Sequence, residues 1–375
     1  MIEKEVKELR RRFRYDKSNI SCVRGCFVNE KGEIVTQFRQ SFTAAPMEET
    51  EAIFAILKKT LSGTLGTNLL NMEFSTKQVL EGEEHALLMS LRDSHLEDED
   101  AVNALFQHIA GSLSMDGNYV ILLAYEDCDI FSFRADGEKE EDSSEVYSYF
   151  LCSICPVKAS RPALSFHAYD NSFHTLAADS ILTAPQVGFL FPAFDNRCAN
   201  IHAALYYTHD ITDNHEELID ELFKTTPPAP AAEQKEAFRT CLSEAVADAC
   251  DFEVVKSIHE QISDMVAVHK ETKQEEPLTM SRHVLETVLS ESGVDEEHVE
   301  VFSEKITEAF GEDAEVCPQN IVNTRQFELK LPDISIKVNP ERKDLITTQV
   351  INGTKYILIN AAEGVEVNGV PISIQ

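Results

Sequence analysis

Between residues 118 and 208 the hydrophobic period is that of extended chain. NYVILLAY, DIFSF, EVYSYFLCSI, ALSFHAY, QVGFLFPAF and NIHAALYY read as six strands, parted by short turn-forming segments and by one acidic loop, DGEKEEDSSE (136–145). Connections that short leave no room for crossover helices, so the strands must pair mainly antiparallel. Helical patterns come before them. Val6, Leu9 and Phe13 mark a helix over 2–14, and further helices are predicted over 47–61, 76–92 and 97–113, with Ser75 or Thr76 and Ser94 as caps. A hairpin joins 20–29 to 33–42. Helices gathered ahead of strands, rather than between them, give an α+β layer and not a doubly wound fold.

The chain has 375 residues, more than one core usually serves. TTPPAPAA (225–232) stiffens the backbone and forbids regular helix, which divides the chain into an α+β domain at 1–225, a Pro-rich linker at 226–232 and a second part at 233–375. That part opens on an apolar seam, Phe238, Leu242, Ala245, Ala249, Phe252, Val255, Ile258, Ile262 and Met265. Its spacing of three and four fits a long helix packed on its own domain or on a dimer partner. Helices over 279–291 and 295–310 follow. FELKL, DISIKV, LITTQVI and KYILIN then make a small terminal antiparallel sheet. Asn352-Gly353 suits a type I′ turn, and Asn368-Gly369 offers a second tight turn.

A formal net charge of −32 disfavours non-specific binding to nucleic acid or anionic membranes by the surface as a whole. The distribution is uneven. Residues 1–40 hold 10 Lys/Arg against 6 Asp/Glu, whereas residues 81–150 hold 3 against 18. Basic patches form at Arg10, Arg11, Arg12 and Arg14, and again at Lys337, Arg342, Lys343 and Lys355, where a polyanion or the acidic face of a second copy would fit. The same residues also read as solvated helix and hairpin faces. MIEKEVKELRRRFR lacks a signal-peptide core and no run approaches the length of a membrane span, so a soluble cytoplasmic protein is expected. Nine scattered cysteines fit reduced thiols.

No phosphate loop, GxGxxG, HExxH, GxSxG or EF-hand pattern occurs. Cys152 and Cys155, three apart on a strand, face opposite sides, which argues against a shared metal. His167, His174, His202, His209 and His215 crowd one region with Asp170, Asp179, Asp195, Asp210 and Asp213. His209-Asp210 is an HD pair, but it closes a strand instead of sitting on a helix, and turn and cap roles explain the aspartates. Glu328 and Lys330 spell an ExK that exposed-strand alternation also explains. Asp195, Asn196 and Arg197 interrupt GFLFPAFDNRCANIHAALYY as a connecting turn would. A buried Arg197 would need a carboxylate, with Asp195 or Asp210 as candidates.

KKTLSGTLGTNLLNMEF (58–74), VGFLFPAFDNRCANIHAALYYT (187–208) and PPAPAAEQKEAF (227–238) resemble a bacterial family found mainly in Firmicutes, domain-of-unknown-function family 4317, across almost the whole chain. The resemblance implies no particular chemistry. In order of elements, ending on ISIKVNPERKDLITTQVINGTKYILIN, the chain is also similar to the nucleoid-associated protein family of the NdpA type. That similarity implies association with the nucleoid as a dimer and carries over no residue.

These readings favour a cytoplasmic, non-enzymatic binding or assembly protein without metal or cofactor, whose partner is a nucleic acid or another protein, with a homodimer as one form. The alternative is a metal-dependent phosphoester hydrolase or nuclease using Asp195, Arg197, His209 and Asp210.

Overall fold

Side chains alternate along a strand, so one strand can feed two cores. Tyr119, Ile121 and Leu123 enter one buried cluster, while Val120, Leu122 and Ala124 enter another on the opposite face. The computed structural model describes residues 1–375 except 44, 134–138, 161–162, 177–179, 196, 226, 247–250, 273–277, 313–314, 324–325, 340–341, 343–344, 363, 368–369 and 373–375. They fall into two compact units, Met1–Ala231, and Ala232–Gln274 with Leu278–Gln375.

The first unit runs α1 (Glu3–Arg10), β1 (Cys22–Val28), β2 (Ile34–Ser41), α2 (Met47–Lys59), β3 (Leu69–Glu73), α3 (Thr76–Glu81), α4 (Glu83–Asp93), α5 (Glu99–Ser112), β4 (Tyr119–Phe133) and β5 (Lys139–Ala159). It continues through β6 (Ala163–His167), β7 (Ser172–Leu176), β8 (Ser180–Leu182), β9 (Val187–Phe191), β10 (Ala193–Asp195), β11 (Cys198–Asn200), β12 (Ala203–Thr208) and α6 (Glu216–Phe223). The main sheet has the order β2-β1-β4-β5-β9-β12-β3, with β8 added against the end of β5. Every ladder in it is antiparallel. The α+β class expected from the sequence is therefore the observed one.

Helices cover both faces. α4, α5 and α6 close one face through Leu88, Leu91, Leu105, Phe106, Ile109, Leu218 and Phe223. α1 and α2 close the other through Val6, Leu9, Phe54 and Leu57. Each such side chain contributes about 1.5–3 kcal/mol on burial, so both layers are strongly held. The centre is tight: a Cβ on Gly188 of β9 would lie 2.4 Å from the Cys152 carbonyl oxygen and 2.5 Å from Thr60 Cγ2. Cys152 lies in one cluster and Cys155 in the other, as their spacing requires.

The structure corrects several boundaries. NYVILLAY and DIFSF form the single strand β4, and Glu126, Asp127 and Cys128 between them include neither Gly nor Pro to break it. Residues 139–145 of the expected acidic loop belong to β5, paired along β4. Gly82 splits the expected 76–92 helix into α3 and α4. Asp98, not Ser94, caps α5, accepting from the backbone N–H groups of Asp100 and Ala101. Ser94 instead stands at the end of α4.

The second unit contains α7 (Ala231–Val246), α8 (Phe252–Thr272), α9 (Arg282–Glu291), α10 (Glu296–Phe310) and α11 (Pro318–Ile321). The long seam is thus shared by two helices, with Ala249 outside the described residues. Phe238, Ala245, Ile258 and Ile262 bury it against Leu285, Leu289, Phe302 and Ile306 of the same unit. Three two-stranded ribbons follow: β13 (Phe327–Leu331) with β14 (Ile334–Val338), β15 (Ile346–Ile351) with β16 (Thr354–Ile359), and β17 (Val365–Val367) with β18 (Val370–Ile372). Each is antiparallel, and among the described residues they stay separate two-stranded sheets. Asn352 and Gly353 turn the second ribbon with φ of +52° and +79°, as a type I′ hairpin demands. Asn368-Gly369 lies outside the described residues. Among the described residues no helix is long and apolar enough to cross a membrane.

Candidate functional site

Of the polar triplet after β9, Asp195 ends β10 and pairs with Cys198 of β11, Arg197 directly precedes β11, and Asn196 lies outside the described residues. Arg197 takes a left-handed φ of +61°, and Asp195 Oδ2 accepts from Asn200 Nδ2 at 3.3 Å. The carboxylate that meets Arg197 is neither Asp195 nor Asp210. It is Glu8 of α1, bound through Nη1 at 2.9 Å and Nη2 at 3.3 Å, while the Arg197 backbone N–H donates to Glu5 Oε1 at 3.3 Å. The hairpin tip is thereby fastened to the first helix.

His209 and Asp210 lie elsewhere. Thr208 pairs with Val187 at the start of β9, whereas the hairpin follows Phe191 at its far end. At about 3.4 Å per residue the two groups are roughly 15 Å apart along the strand direction. The His209 N–H donates to the Gln186 carbonyl. Asp210 folds its carboxylate onto the hydroxyl and N–H of Thr212, bonds that lower its pKa and keep it ionised. The four candidate catalytic residues therefore do not converge. Asp170, Ser172 and His174 do meet, His174 Nε2 lying 2.6 Å from Asp170 Oδ2 and 2.8 Å from Ser172 Oγ. Asp213 bonds the backbone of His215, and Asn200 that of His202. Asp179 lies outside the described residues. Among the described residues no three His, Cys, Asp or Glu side chains are grouped to hold a metal ion.

The basic N-terminus is largely committed within the fold. Arg12 Nη2 reaches Glu126 Oε1 at 3.3 Å, and Arg14 grips Asp16 with two nitrogens at 2.9 and 3.1 Å. Glu126 is 1% exposed and also accepts from the Asn19 N–H and the Tyr149 hydroxyl. Burial, and then Glu126, push the Tyr149 pKa well above its ordinary value. Arg10 is half-buried and Arg11 exposed. In the second unit Lys337 and Lys355 are exposed on ribbon strands, Arg342 is half-buried and Lys343 lies outside the described residues. Glu328 pairs with Lys330 at 3.7 Å and accepts from Ser335, as alternation on an open strand face would have it.

Sequence reasoning missed a recess of about 280 Å³ beside Arg24, His95, Tyr125 and Asp127. α4 ends there in a Schellman motif, with Leu96 N–H on the Leu91 carbonyl, His95 N–H on Arg92, and His95 where glycine is usual, at φ +54°. Its ring stacks on Tyr125 at 4.4 Å. No residue letter signals a left-handed histidine. The charges around the recess answer one another: Arg24 reaches Glu99 at 2.8 Å, Arg39 grips Glu97, and Asp127 accepts from Tyr125 and Ser148. Burial and the Asp127 carboxylate push the Tyr125 pKa up to about 12, so the phenol stays a donor at neutral pH.

What faces outward is apolar ribbon. In the β6–β7 hairpin Leu164, Phe166, Tyr169 and Phe173 are 72%, 55%, 81% and 71% exposed. Phe166 pairs with Phe173 across the strands, rings 5.4 Å apart. In the second unit Phe327 anchors the first ribbon against Phe252 and His259, yet Leu331, Ile334, Val350, Ile351, Tyr356, Ile359 and Val370 are exposed. Two-stranded ribbons are marginal in water by themselves. The sequence pattern placed β6 and β13 to β16 but not which of them lacked cover.

A family model described as Domain of unknown function (DUF4317) matches residues 1–370. No curated protein matches the chain.

Proposed function

The chain belongs to the family Domain of unknown function (DUF4317), and from that premise we propose that it is a non-enzymatic binding and assembly protein of the bacterial cytoplasm that docks other proteins through its apolar β-ribbons. One observation carries this reading: large apolar side chains stand exposed on ribbons in both units, while the residues suited to catalysis are dispersed. Free thiols at the eight cysteines among the described residues agree with a reducing compartment. The test is a phosphoester hydrolysis assay with Mg²⁺, Mn²⁺ or Zn²⁺, run beside Asp210→Asn. No turnover is expected from either protein, and turnover that the variant loses would replace this reading with the hydrolase.

A second reading, association with nucleic acid in the nucleoid, draws on Lys337 and Lys355, exposed on ribbons that also present Tyr356. A gel-shift titration should then show binding that weakens steeply with salt. Absence of a shift in dilute buffer ends that branch.

A further inference from the structure

Two arginines face each other at the edge of the main sheet. Arg24 of β1 is the register partner of Arg39 on β2, which sets both side chains on one face of the ladder. Like charges directly opposite one another destabilise a strand pair, so this place requires an anion. Glu97, on the connection between α4 and α5, supplies one, and Glu99 at the start of α5 accepts from Arg24 Nη1 at 2.8 Å. The two arginines are not served equally. Glu97 gives both oxygens to Arg39, at 2.5 and 2.7 Å, and its Oε2 stops 3.5 Å from Arg24 Nη2. Arg24 is 6% exposed, and among the described residues its Nη2 makes no hydrogen bond. A buried donor without an acceptor carries its full desolvation penalty.

Glu97 is tethered where it stands. His95 and Leu96 before it are both left-handed, at φ +54° and +61°, and its own N–H donates to the Ser94 carbonyl at 2.9 Å. A carboxylate held by that backbone satisfies one arginine, whereas a free one can centre itself between two. The space for such a group adjoins the pair. Arg24 and Glu97 both line the recess of about 280 Å³ beside His95, with buried Leu96 and Leu123 as its apolar lining, a volume near the lower end of small-molecule pockets. Leu123 pairs with Arg24, and Asp127 lies four residues further along β4, about 14 Å away between Cα atoms. The Asp127 carboxylate, in a chain of net charge −32, opposes a second anionic group at that end.

We propose that this recess binds a small monocarboxylic acid, whose carboxylate displaces Glu97 and bridges Arg24 and Arg39 while its apolar body lies against Leu96 and Leu123. Glu97 is then a built-in competitor that keeps the arginine pair neutral between binding events. Its side chain is exposed and swings into water without unpacking the core. The site goes beyond the docking of proteins through ribbons and does not depend on it.

The test is titration of the isotopically labelled full chain with benzoate, followed by NMR at the amides of Cys22, Leu96 and Leu123. A Kd of about 1–10 mM is expected for so small a probe. Glu97→Ala should tighten it about fivefold by removing the competitor. Arg39→Ala should weaken it by about tenfold through loss of a charged bond. Arg39 and Glu97 are both exposed, so the circular dichroism spectrum should not change. If Glu97→Ala fails to fold, Glu97→Gln, which keeps the shape and drops the charge, decides in its place. Benzamide, which lacks the charge, and terephthalate, which doubles it, should each bind about tenfold more weakly than benzoate. No shift from benzoate in the wild-type chain and in Glu97→Ala up to about 50 mM overturns the proposal. Benzoate binding indifferent to Glu97→Ala overturns it as well, since the acid then sits elsewhere. Equal binding of benzamide would mean that the recess reads the apolar body alone, and tighter binding of inorganic phosphate that the arginines take another class of anion; either result sinks the assignment.

Discussion

Arg197 had an evident need and an unforeseeable partner. The sequence places a guanidinium in a turn between apolar strands, and physical chemistry then demands a carboxylate. Nothing in linear order points to Glu8, 189 residues away, because partner choice is settled by how α1 lies on the sheet. Both side chains keep more than a third of their surface in water, so the pair is worth only about 1 kcal/mol. Arg197→Ala should lower stability by about that amount in urea unfolding. Arg197→Gly loses the same pair but accepts φ of +61° without strain. It should be no less stable than Arg197→Ala, although Gly trails Ala by about 0.5–1 kcal/mol where neither is strained. A glycine variant clearly weaker than the alanine variant would mean that the turn is not left-handed. His95 shows the same limit: its ring is held by a helix-ending motif whose usual residue is Gly, and sequence pattern has no sign for the exception.

Elements were legible in proportion to their length. The alternation in NYVILLAY and EVYSYFLCSI was enough to place β4 and β5, and the spacing of apolar residues enough for α2 and α5. β3, β7 and β8 escaped notice because three to five residues hold too few alternations to stand out. The break at Gly82 and the separation of α7 from α8 were hidden because the apolar spacing runs on from one helix into the next. Gly188 is the position where an element depends most on one letter, since β9 is buried along its whole length and the Cys152 backbone passes beside it. Gly188→Ala should cost about 2–3 kcal/mol through overpacking that backbone cannot relieve. Thermal melting would show it, and an unchanged melting temperature would contradict the packing described.

Acidity was the one whole-molecule property plain from composition, and its effect on stability follows from particular carboxylates. Glu97 is held below its ordinary pKa by Arg39, Asp98 by the Ala101 N–H, Asp210 by Thr212, Glu221 by His108 and Asp295 by His298. A carboxylate depressed in the folded state contributes stability above its unfolded pKa, near 4, and loses it as pH falls through the folded value. Far-UV circular dichroism should therefore hold steady down to about pH 4.5 and report unfolding below about pH 4. A transition that starts between pH 6 and 7 would point to other groups. How the charge is spread could be counted from letters, but which apolar strands stay uncovered could not, since that depends on where the helices run out. The tie between Glu8 and Arg197 also sets an order of events at the ribosome. At roughly 5–20 residues per second, the first helix leaves the exit tunnel some 10–40 s before its fastening does. For that interval the apolar side of the nascent helix stands bare, and the folding cell must shelter it.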